Sequence, residues 1–117
     1  MEVVYNYCIT GFPLSVISPL KKKISQLKKN RTRFKVGSTS NPQNRSKKYD
    51  SKLYKIMYIV YESGSINNMM KIEEDLIDFY EYDNNNDNFN GGCSGPAASD
   101  PESYYVYIVV GKKKKWS

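Results

Sequence analysis

The chain has 117 residues, 39% of them hydrophobic, which suits one domain with one modest core. It contains no histidine and only two cysteines, Cys8 and Cys93, far apart; a histidine general base is excluded, and the usual nitrogen and sulfur ligands of a zinc site are missing. The formal charge of +6 is unevenly spread, with 13 Lys+Arg against two acids in residues 1–60 and five lysines against ten acids in residues 61–117.

A basic half of this kind fits a polyanion such as nucleic acid, and it fits plain solvation as well. The opening Met1-Glu2-Val3-Val4 lacks the basic region of a secretory signal. No apolar run approaches the roughly 18 residues of a membrane span. The expectation is a soluble, intracellular protein with no membrane partner, cytoplasmic or, in a eukaryotic host, nuclear. Both cysteines are expected to be reduced and packed.

Residues 2–9 are rich in β-branched and aromatic side chains and read as a strand, with Val3, Tyr5, Tyr7 and Ile9 on one face. From about Ser15 to Lys29, Val16, Ile17, Leu20, Ile24 and Leu27 recur at helical spacing. Pro19 places the start of this helix near Ser18. Thr32–Val36 reads as a second strand stopped by a turn at Gly37. Asn41-Pro42 then pairs a capping side chain with a first-turn proline, opening a helix to about Tyr49. Arg45 and Tyr49, four apart, share a face of it.

Lys52–Glu62 is almost continuously apolar and β-favouring, as a strand buried on both faces would be. A helix capped by Asn67 or Asn68 follows, to about Tyr82. At 100° per residue Met69, Ile72, Leu76, Phe79 and Tyr80 form its apolar stripe, and Glu74, Asp75 and Asp78 its wet face. Glu73 falls inside the stripe. A carboxylate there is costly unless it is paired, hydrated in a cleft or bound to a metal. The plain alternative is a pair with a lysine or arginine at the stripe's edge.

Residues 83–100 read as a polar loop, with Asp83–Asn88 expected to be mobile. Asn90-Gly91-Gly92 and Ser94-Gly95-Pro96 are turn chemistry. Tyr104–Val110 is a strong closing strand that pairs into the sheet. The segment 112–117 is a basic tail, open to reading as a disordered phosphate-binding tail or an expression-tag remnant.

Lys35-Val36-Gly37-Ser38-Thr39-Ser40-Asn41-Pro42-Gln43-Asn44-Arg45, then Glu73 with Leu76-Ile77, then Asn90-Gly91-Gly92, resemble the GIY-YIG nuclease superfamily over roughly residues 34–92. The resemblance implies an α+β fold, a small central antiparallel β-sheet flanked by helices, here with a helical insertion between the first two strands. It implies one domain over residues 1–117. The family's first motif is at best Val3-Val4-Tyr5, without its glycine and thirty residues from Lys35. Tyr105-Val106-Tyr107 mimics that motif from the other end of the chain, and a permuted sheet stays open. Lys35 holds the second motif's tyrosine position. Some restriction-enzyme members are similar, with lysine there and a tyrosine one turn after the arginine, as Tyr49 stands here.

What the resemblance implies is metal-dependent hydrolysis of DNA phosphodiester bonds. Glu73 would hold a divalent ion, Mg²⁺ or Mn²⁺. Arg45 would bind the scissile phosphate as a planar fork. Tyr5 or Tyr7 would activate or orient water, Lys35 would favour phenolate, and Tyr49 would be a second hydroxyl partner. Lys21, Lys22, Lys28, Lys29, Arg31, Arg33, Lys47 and Lys48 are the candidate nucleic-acid contacts. Two rival readings stand beside this one: a catalytically inactive nucleic-acid-binding module of the same fold, and a small protein-interaction or inhibitor protein.

Overall fold

A computed structural model of the chain describes residues 1–88 and 102–114. Its elements are β1 (Glu2–Val4), α1 (Pro13–Leu27), β2 (Phe34–Thr39), α2 (Pro42–Ser46), β3 (Ile56–Ser63), α3 (Ile66–Phe79) and β4 (Tyr104–Val110). The four strands form one sheet in the order β1-β3-β4-β2. β4 runs antiparallel to both β2 and β3, and β1 joins β3 in parallel. The expected α+β architecture is present, with a helix inserted between the first two strands. Its sheet is mixed rather than wholly antiparallel.

The main core lies between the sheet and the two long helices. Val16, Leu20 and Ile24 of α1 and Met69, Ile72 and Leu76 of α3 pack on Phe34, Val36, Val60, Val106, Ile108 and Val110. Alternation sends the intervening residues to the opposite face. There Met57, Ile59, Tyr107 and Val109 gather with Tyr54, and Val3, Cys8, Tyr49 and Tyr105 pack around them.

Several local expectations are corrected by tertiary contacts. The first strand ends at Val4 rather than Ile9. The Cys8 N–H donates to the Tyr5 carbonyl at 3.1 Å, a turn that breaks the alternation, and the chain rejoins the sheet at Ile9, beside Tyr61. The first helix starts at Pro13, which takes the first-turn position, so Pro19 lies inside the helix. An interior proline costs about 3 kcal/mol, which burial of Val16, Leu20 and Ile24 offsets. Ser65, not Asn67 or Asn68, caps α3, accepting the Asn68 N–H at 3.2 Å.

Strand β2 does not stop at Gly37 but runs through it. Gly37 pairs with Tyr107, and a Cβ there would sit 2.4 Å from the Tyr107 hydroxyl. Glycine is present for close approach, not for a turn. The asparagine-rich stretch is also tied down. Phe34 N–H donates to Asn85 O at 2.9 Å and Asp87 N–H to Phe34 O at 2.8 Å. The Asn88 amide accepts from Val36 N–H at 3.1 Å and donates to Val36 O at 2.7 Å. Residues 85–88 thus cover the free edge of β2. Cys93, Asn90-Gly91-Gly92, Ser94-Gly95-Pro96 and the last residues of the basic tail lie outside the described residues.

Candidate functional site

The corner between β2 and α2 is held by short side-chain bonds. Thr39 Oγ1 accepts the Asn41 N–H at 3.0 Å, and Asn41 Oδ1 accepts the Asn44 N–H at 3.1 Å. With Pro42 in the first turn, these bonds start a helix immediately after the strand. The helix is shorter than its sequence pattern predicts, ending at Ser46, and a turn continues the chain, with Tyr49 N–H donating to Ser46 O at 3.3 Å. Arg45 is therefore fixed beside the end of β2, and Tyr49 is carried under the sheet.

Glu73 follows the buried Ile72 on α3 and is half-buried itself. Ser38 shares a β2 face with Phe34 and Val36, the face that meets this helix. Its hydroxyl donates to the Glu73 carboxylate, and the Arg45 charge acts on the same group. Burial nonetheless wins, and the Glu73 carboxyl titrates above the ordinary glutamate value. The structure thus brings Glu73 and Arg45 together and adds Ser38, which the sequence reading did not single out. Alternation along β2 was the signal that could have found it.

On the other face of β2, Lys35 and Gly37 lie beside β4, paired with Val109 and Tyr107. The Tyr49 and Tyr107 hydroxyls share a hydrogen bond of 2.6 Å, and their rings meet edge to face. Lys35 is 8% exposed, an unusual burial for a lysine. Tyr49 also meets Tyr54 edge to face, and the Tyr54 hydroxyl donates to Asp87. Burial first and Asp87 second push the Tyr54 phenol well above its usual value.

Tyr5 and Tyr7 follow β1, the strand against which α2 packs. Strand β1 lies at the far edge of the sheet, with β3 and β4 between it and β2. Tyr7 packs on Tyr58 with the Lys23 ammonium over its ring, and Tyr5 lies within electrostatic range of Tyr105. The tyrosine beside Tyr49 and Gly37 is Tyr107, from the closing strand.

The basic residues divide by their partners. Lys28 bonds Asp83 at 2.8 Å, Arg33 reaches Asp87 at 3.4 Å, and Lys21 lies over the Phe79 ring. Arg31 donates to Gly111 O at 3.1 Å. Lys22, Lys29, Lys47 and Lys48 are exposed.

Among the described residues no three Cys, Asp or Glu side chains cluster as a metal cage. One carboxylate is compatible with Mg²⁺, which keeps several waters and takes one or two protein carboxylates plus phosphate oxygens. Glu73 fits that part, because its buried charge is only partly offset by Ser38 and Arg45. Arg45 offers a fork for a phosphate, and the tyrosine pair offers phenolic hydroxyls. No helix among the described residues is long and apolar enough to cross a membrane.

Residues 17–111 match the family described as the T5orf172 domain. Neither a curated protein nor a solved structure matches the chain.

Proposed function

The chain belongs to the T5orf172 domain family, and from that membership we propose that it acts as a single GIY-YIG-like domain that binds DNA and hydrolyses its phosphodiester bonds with a divalent metal. The observation that carries this reading is the meeting of Glu73, Ser38 and Arg45 at the end of β2. A carboxylate on the apolar side of a helix, held against an arginine and left short of full compensation, supports a role at a phosphate and a cation.

Each side chain then has a part to play. Arg45 grips two phosphate oxygens and offsets the charge that builds on them. Glu73, with Ser38 fixing its orientation, would hold Mg²⁺ or Mn²⁺. When bound, that ion would polarise the phosphate and lower the pKa of a coordinated water. Tyr107, hydrogen-bonded to Tyr49, takes the part that the resemblance gives to a first-strand tyrosine. It stands on the strand carrying Tyr105-Val106-Tyr107, opposite Gly37. The Lys35 ammonium lies on the same sheet face as that pair of hydroxyls.

One observation favours a second reading, a binding module without catalysis: Tyr107 is only 1% exposed. Nicking of supercoiled plasmid with Mg²⁺ or Mn²⁺ separates the two. The nuclease reading expects nicking by the parent chain and its loss in Arg45→Ala and Glu73→Ala, with a strong reduction in Tyr107→Phe. Unchanged activity in a clean preparation of Arg45→Ala or Glu73→Ala overturns it. Salt-dependent DNA binding without nicking under either metal supports the binding module.

A further inference from the structure

The other end of β2 carries a cleft of ≈ 380 Å³ whose walls include Lys29, Arg31, Lys113 and Lys114, together with Leu27 and Tyr58. Its backbone is firmly tied. Asn30 takes a left-handed conformation, φ 61°, as the chain leaves α1, and its carbonyl accepts the Lys114 N–H at 2.7 Å. Thr32 N–H donates to Lys112 O at 3.0 Å, and Gly111 N–H to Arg33 O at 2.8 Å. The segment that leads into β2 and the segment that follows β4 are therefore laced together, and they carry their cations to one place.

Among the described residues no carboxylate lines this cleft. One described acid, Asp83, bonds Lys28 at 2.8 Å, and its charge also reaches Lys114. Four like charges on one pinned backbone repel one another until an anion enters. Lys29, Lys113 and Lys114 are exposed and able to reach it.

We infer that this cleft is a second anchoring point for the phosphodiester backbone of DNA, remote from Arg45 and Glu73. The inference rests on the proposed function for the class of ligand and adds the place where that ligand is held. From Arg31 to Ser38 the chain advances seven residues, at most roughly 23 Å at about 3.3 Å per residue. A duplex touching both ends covers about 7 base pairs at about 3.4 Å each. Tyr58 and Leu27 supply an apolar wall for a sugar or base face. A lipid surface fits less well. None of the large exposed apolar side chains, Phe12 and Leu14 among them, lines the cleft, so nothing there inserts into a bilayer.

The test is fluorescence anisotropy of a labelled 20-base-pair duplex against salt, using the full chain, Lys29→Gln/Lys113→Gln, and Lys71→Gln as a control on α3. Both cleft lysines are exposed, so thermal melting should match the parent. The double variant is expected to bind more weakly on every duplex sequence, with the slope of log K against log salt smaller by about 2. The control keeps the parent slope. Equal slopes in parent and double variant overturn the inference. So does a larger loss on phosphatidylserine vesicles than on DNA, which assigns the cleft to lipid. Failure of the parent chain to bind DNA even at low salt sinks the proposed function along with it. Binding and nicking by the parent, matched by the double variant, sinks the cleft alone.

Discussion

The two faces of the sheet come from the same strands and are filled in different proportions of aliphatic and polar-tipped side chains. Beneath α1 and α3 lie interlocking aliphatic side chains such as Leu20, Ile24, Ile72, Leu76 and Ile108, each at most 1% exposed. On the α2 face Met57, Ile59 and Val109 share the space with tyrosines, a buried lysine and a glycine that a tyrosine overlies. The aliphatic face can lose its identity residue by residue and still exclude water. The tyrosine face holds hydroxyl groups that must stay paired to remain buried. Glu73 belongs to the aliphatic face by its helix and to the site by its carboxylate. It is where the two kinds of packing meet.

Three substitutions sharpen this contrast. Ile72→Ala, in the middle of the aliphatic face, should cost about 2–5 kcal/mol in urea unfolding, through lost burial and a residual cavity. A cost within error of zero would show that α3 is not seated as described. Gly37→Ala comes next, at about 1–3 kcal/mol, because the new methyl meets the buried Tyr107 ring rather than a flexible side-chain end. Its effect should fall on DNA processing too, since displacing Tyr107 breaks the bond to Tyr49. Normal stability in that variant would mean that β2 and β4 are farther apart.

The smallest effect has the opposite sign. Burial raises the folded-state pKa of Glu73 above its unfolded value, so the folded chain binds more protons in the window between the two. Stability then falls as pH rises through that window, from about 4.3 upward, and stays lower above it. Glu73→Gln removes this loss while keeping an acceptor for Ser38. The variant should melt higher than the parent near pH 7, with the gap closing toward pH 4. Parallel melting curves across that range would show that the carboxylate is not strained in the folded state. Activity in the same variant should be lost, so the stability gain and the functional loss come from one atom's charge.

Much of this was legible in the residues. Tyr104–Val110 and the stripe of Met69, Ile72 and Leu76 carry periodic signals strong enough to place β4 and α3. Asn41-Pro42 announced α2 through its own capping chemistry. Glu73 stood out because a helical wheel put it where a carboxylate is costly. Each of these depends on residues within a turn or two of one another. Where neighbours in sequence were not neighbours in space, the reading went astray. Gly37 looked like a stop because Tyr107, the reason for a glycine, lies seventy residues away in the chain. The asparagine run looked loose because its partners are the edge groups of Phe34 and Val36.

By itself the sequence determined which residues could carry the chemistry of a phosphate site: an arginine early in a capped helix, a tyrosine four residues on, and a carboxylate on the wrong side of another helix. Local propensity and side-chain spacing suffice for that, since both act over a few residues. Tertiary structure alone decided which tyrosine pairs with Tyr49. Strand order is set by long-range pairing, and many residues of β-favouring composition compete for each edge. Here β4, from the far end of the chain, takes the place beside β2, and β1 is left at the opposite edge. Tyr107 therefore shares its hydroxyl bond with Tyr49, a partner that nothing in their spacing along the chain announces.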